Sequence, residues 1–163
     1  MIFLTVGTQF AFDRLVKAVD EAADSGSLYD RIYAQIGETS YVPRNFEYVK
    51  FLDKATLDDC IAGASAVISH AGMGIISVAM ENSKPLLVVP RRKKYKEVVN
   101  DHQVAIAKKY EQYGHLLVVY SEEQLPDKIS QLQFFVPRPR QSQEPVVAER
   151  ICRFLNGIHP VGT

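Results

Sequence analysis

The hexapeptide Ser69-His70-Ala71-Gly72-Met73-Gly74 sets an imidazole beside two nearby glycines, between a strand-like and a helix-like segment. Such a turn leaves backbone N–H groups free at the positive end of a helix dipole, where phosphate binds. Gly72 and Gly74 would let a diphosphate approach main chain that a Cβ would obstruct. Three further groups carry related chemistry. Gly7-Thr8-Gln9 closes the first strand-like run, and its hydroxyl suits either a phosphate or sugar contact or the cap of an ordinary βα turn. Arg91 follows the run Leu86–Val89 with a guanidinium suited to bidentate pairing with a diphosphate. Asn100-Asp101-His102-Gln103 puts consecutive polar side chains at a helix start. That exceeds what capping requires, so His102 and Gln103 remain for hydroxyl groups, each of which is costly to bury unmatched.

The elements that would hold these residues alternate along the chain. Strand-like runs occupy Ile2–Val6, Arg31–Ile36, Glu47–Phe51, Ala66–Ser69, Leu86–Val89 and Leu116–Val119, several without polar alternation, as in parallel strands covered on both faces. Helical spacing recurs in Phe12–Asp24, Thr56–Gly63, Met73–Ser83 and Asn100–Tyr113, and Ser121-x-x-Gln124 has the pattern of a capping box. The expected fold is therefore α/β, a Rossmann-like parallel sheet with helices on both faces and ligands at the carboxyl ends of the strands. This domain would span residues 1–132. Residues 133–163 would add a proline-rich strap through Pro137, Pro139 and Pro145, then an amphipathic helix over Pro145–Ile158 for the same domain or a partner.

Composition narrows the classes. Nineteen basic and nineteen acidic residues balance, so no global charge points to nucleic acid. Cys60 and Cys152 are too few for a disulfide framework or zinc site, which favours reduced thiols in the cytoplasm. No run approaches the roughly 20 apolar residues of a membrane span, and Met1–Val6 reads as a strand, not a leader. Lys93, Lys94 and Lys96 read as a solvated loop or an attraction for an anionic membrane or polyprenyl phosphate. No Walker loop, histidine metal pair or Gly-x-Ser-x-Gly elbow occurs. An NADP-binding oxidoreductase domain, with Arg91 and Arg92 on the 2′-phosphate, would want a glycine at position 77, where Ser77 stands.

In order and spacing, Val6-Gly7-Thr8, Ser69 to Gly74, Lys84 to Arg91 and Asn100 to Gln103 resemble the glycosyltransferase family 28 C-terminal domain. The likeness runs from Met1 to about Tyr120 and is nearest the free-standing Alg13-type and bacterial PssE-type subunits of exopolysaccharide and capsule synthesis. It implies the donor-binding half of a GT-B glycosyltransferase that uses a UDP-sugar, with inverting chemistry and neither cofactor nor metal. An Alg14- or PssD-like membrane-anchored subunit would bind a lipid-linked saccharide acceptor, supply the catalytic base and recruit this chain to the inner membrane face. By resemblance, Gly7, Thr8 and Gln9 face the donor phosphates, and His70, Gly72, Met73, Gly74 and Ile75 line the diphosphate, with Arg91 nearby. Asn100, His102 and Gln103 meet the sugar, and Phe51 and Leu52 flank the uracil. Val78 stands where many relatives carry a ribose-binding glutamate, and Glu81 follows almost a helical turn later. A non-catalytic enhancer subunit is the other reading the resemblance leaves open.

Overall fold

The structure is a computed structural model that describes residues 1–139 and 149–155 of the 163. Six strands run in chain order: β1 (Ile2–Thr5), β2 (Ile32–Gln35), β3 (Glu47–Val49), β4 (Ala66–His70), β5 (Leu86–Val89) and β6 (Leu117–Val118). They form one sheet in the order β3-β2-β1-β4-β5-β6, with every neighbouring pair parallel. The chain thus reverses its direction of travel across the sheet between β1 and β4. Such a switch point opens a crevice at the carboxyl ends of the two strands.

Four helices lie between strands, α1 (Asp13–Asp24), α2 (Lys54–Gly63), α3 (Met73–Glu81) and α4 (His102–Gln112), and α5 (Leu125–Leu132) follows β6. Alternate residues of β1 feed opposite faces of the sheet, as the pleat requires. Ile2 and Leu4 join Leu15, Val16 and Val19 of α1 and Ile129 and Leu132 of α5 in one buried cluster. Phe3 joins Ile61 of α2, Ile76 and Ala79 of α3 and Ala107 of α4 in the other. Burial on both faces explains why these strands read as uninterrupted apolar runs.

Two local expectations change. Ser121 and Gln124 do not form a capping box: Gln124 Oε1 accepts from the Tyr120 N–H at 3.1 Å, while Ser121 Oγ donates to Glu123. A single 3-10 turn, Glu122–Gln124, precedes α5 instead. Among the described part of the strap, residues 133–139 contain no strand or helix, and Arg138 N donates to Gly114 O. Residues 149–155 are helical, with Ile151, Phe154 and Leu155 more than half exposed. Pro145 and the ends of the expected terminal helix lie outside the described residues.

Candidate functional site

A cleft of about 640 Å³ lies over the carboxyl ends of β1 and β4. Its lining includes Gly7, Thr8, Gln9, Leu52, His70, Gly72, Met73, Gly74, Ile75, Arg91, His102 and Gln103. Phe51 and Asn100 are not part of that lining. The Phe51 ring faces outward, and Asn100 Oδ1 accepts the His102 N–H at 3.1 Å, a local cap at the start of α4.

β4 ends at His70, and two residues later Gly72 occupies the N-cap of α3 in extended geometry. No side chain caps this helix, and its first intrahelical bond runs from Ile76 N to Gly72 O. The amides of Met73, Gly74 and Ile75 therefore have no partner in the preceding turn and lie at the cleft. This is an anion-binding arrangement that needs neither metal nor lysine.

The two motif glycines do different work. A Cβ on Gly72 would lie 2.1 Å from His70 Cε1, and one on Gly7 would lie 2.8 Å from His70 Nε2. Gly7 also has a φ of +75°, which a side chain would strain. The imidazole is thus clamped between β1's turn and α3's cap, and Gly72 is required by His70 as well as by any ligand. Around Gly74 the space is open, with nothing within 4 Å of a Cβ position.

Burial, with the Arg91 charge beside it, lowers the His70 pKa to about 3. The ring is therefore neutral near pH 7 and offers one N–H and one lone pair. Its Nδ1 is enclosed without a partner, as are Gln35 Nε2 and Arg91 Nε. All three of these orphaned side-chain atoms, the complete set among the described residues, belong to residues lining this cleft. Buried polar groups rarely stay unpaired, so their concentration here marks a site built to be completed. The depressed His70 pKa also has a consequence for folding. Between the ordinary value of 6.5 and about 3, the unfolded chain binds the proton that the folded chain refuses. Stability is then fully present above 6.5 and falls as pH drops. His70→Gln is expected to reduce the stability lost between pH 7 and pH 5 by about 1–2 kcal/mol, measured by urea titration at both values.

The structure reassigns Arg91. Its guanidinium is anchored within the protein: Nη2 donates to Val6 O at 2.8 Å and Phe10 O at 2.6 Å, and the group stacks 4.7 Å over Phe12, leaving Nε without a partner. The side chain is buried and ties the loop after β1 to the end of β5. Arg92 is likewise engaged, with Nη2 donating to Tyr120 O at 2.7 Å. Both arginines thus tie loops of the protein together, which argues against a 2′-phosphate site built on them. Gln103 Oε1 accepts the Arg91 N–H at 3.1 Å, and its Nε2 has no partner among the described residues. Its amide N–H thus faces the cleft as a free donor.

Sequence reading missed what anchors this rim. Arg14 in α1 grips Glu97 through Nε and Nη2 at 2.7 and 2.9 Å, and Nη1 reaches Glu122 at 2.8 Å. Glu97 also accepts the Arg92 N–H. Thr5 Oγ1 donates to Gln35 Oε1 at 2.7 Å, which turns Gln35 Nε2 into the orphaned donor under the cleft. Lys54, Leu57, Asp58 and Val78 also line the cleft, from α2 and α3, whereas Glu81 does not. The described residues contain no cluster of metal-ligating side chains and no helix long and apolar enough to cross a membrane.

Comparison with known proteins agrees with this geometry. The chain is 40% identical over 124 residues to the human UDP-N-acetylglucosamine transferase subunit ALG13, an alignment covering 71% of this chain and 10% of that protein. It thus spans about a tenth of the length of that curated relative. An NMR solution structure of ALG13 superposes with a TM-score of 0.58 at 21% identity, covering 92% of this chain and 93% of that one. An Os79 variant from O. sativa in complex with UDP superposes at 0.61 and 17% identity, covering 81% and 32%. These structural likenesses establish the fold. The model of the glycosyltransferase family 28 C-terminal domain matches residues 1–150, and the chain belongs to that family.

Proposed function

We propose that this chain is the donor-binding subunit of a two-component inverting glycosyltransferase. It would hold a UDP-sugar for transfer to a lipid-linked saccharide in polysaccharide synthesis. The observation that carries this reading is the uncapped α3 N-terminus, whose amides meet a cleft floored by a neutral histidine and orphaned donors. A diphosphate there would accept those amides, and the same contacts would stabilise charge as it leaves the anomeric carbon. His102 and the Gln103 amide would face the sugar from α4. Leu52, Leu57 and Val78 offer an apolar wall for a base.

No residue of this cleft is assigned as the base that activates the acceptor hydroxyl. The one carboxylate on the lining among the described residues, Asp58, is paired with Lys54 at 2.6 Å. The base would come from a partner of Alg14 or PssD type, anchored in the membrane and recruiting this chain to its inner face. The exposed apolar side chains of residues 149–155 suit docking on such a partner. Co-expression with the membrane subunit, followed by a screen of labelled UDP-sugars, tests the reading. Transfer is expected with both subunits and not with either alone. Full activity of the membrane subunit by itself would reduce this chain to an enhancer.

A further inference from the structure

Within this cleft the hydrogen-bonding groups are unevenly shared. The α3 end presents donors: the amides of Met73, Gly74 and Ile75, the Gln35 amide and the Gln103 amide. Several neutral acceptors on the lining already take a donor from the protein. Gln35 Oε1 takes the Thr5 hydroxyl, Gln103 Oε1 takes the Arg91 N–H, and Val6 O takes the Arg91 guanidinium. A nucleoside diphosphate brings more than phosphate to such a surface. Its ribose carries two adjacent hydroxyl groups, and both need acceptors when water is removed.

One side chain on the lining among the described residues supplies a charged acceptor. Asp58 sits one turn into α2, next to Leu57, and lines the cleft together with Val78 of α3. Its Oδ2 receives Lys54 Nζ at 2.6 Å, and Oδ1 makes no hydrogen bond among the described residues. Glu81, the acid that the sequence leaves on α3, lies exposed and off the lining. We infer that Asp58 accepts the ribose 2′- and 3′-hydroxyls of the bound nucleotide and sets the preference for a ribonucleotide. This rests on the reading of the cleft as a nucleotide-sugar site. The base would then lie along Leu52 and Leu57, with the ribose at the α2 rim and the diphosphate at α3. Lys54 acts through Asp58, holding the carboxylate in place.

Calorimetry with UDP and with 2′,3′-dideoxy-UDP on the intact chain tests the assignment. The wild type is expected to favour UDP by about tenfold or more, the difference that charge-assisted hydrogen bonds supply. Asp58→Ala should weaken UDP by that factor, leave the dideoxy compound within about twofold, and so abolish the preference. Lys54→Ala should retain most of the preference. Asp58→Ala removes a partly exposed side chain from the helix surface, and an unchanged melting curve would exclude misfolding as the cause. A preference that survives in Asp58→Ala, or equal weakening of both ligands, would overturn the assignment while leaving the cleft a nucleotide site. If neither ligand binds the wild type, the nucleotide reading fails and the assignment with it.

Discussion

Gly74→Ala is expected to separate folding from ligand binding more cleanly than any other change in this protein. A Cβ there meets nothing within 4 Å and lies inside α3, so the variant should be as stable as the wild type or more so by about 0.5–1 kcal/mol. The same methyl group would stand where the diphosphate approaches the amides of residues 73–75. UDP affinity should fall about tenfold to a hundredfold, the loss of one or two charge-assisted hydrogen bonds. Gly72→Ala should lose both properties. Its Cβ overlaps the His70 ring at 2.1 Å, and the ring is also enclosed by Gly7, so neither side can yield cheaply. A thermal melt paired with UDP calorimetry on the two variants checks both statements. Equal behaviour of the two alanines would mean that the glycines share one role, contrary to the geometry.

Arg91→Ala should be the most destabilising single substitution at the site. It would strip Val6 O and Phe10 O of their shared donor and remove the cation stacked on Phe12. Each buried carbonyl left unpaired costs about 1–3 kcal/mol, so a loss of about 3 kcal/mol is expected from the urea midpoint. The charge of Arg91 also helps to hold the His70 pKa down, second to burial. Without it the folded pKa of His70 rises towards its ordinary value, and the stability lost on acidification shrinks. Arg91→Lys keeps the charge but lacks the planar fork that meets two carbonyls from one side chain. It should recover part of the acid sensitivity and little of the stability.

The sheet was legible because its strands are covered twice. Leu86–Val89 contains no polar residue, and its reading matched the strand at both ends. Edge elements were less legible. β6 is only Leu117–Val118, shorter than the apolar run containing it, since a strand needs a partner as well as a pattern. The site divides similarly. The α3 turn could be read locally, from glycines between a strand and a helix. The clamp on His70 could not, because one side of it, Gly7, comes from a distant part of the chain. Arg91 illustrates the same limit. Its position beside the crevice followed from β5, but two carbonyls before α1 decide how its guanidinium is used. Position along an element is local information, whereas the partner of a side chain is not.

The central claim is that a uridine diphosphate seats its phosphates on the amides that open α3. Amide-resolved NMR of the intact chain during UDP titration measures this most directly. The largest saturable shifts are expected on Gly72, Met73, Gly74 and Ile75, with smaller ones at Gly7 and Gln103. Shifts confined to the exposed lysines at 93, 94 and 96, or no saturable shift at α3, would contradict it.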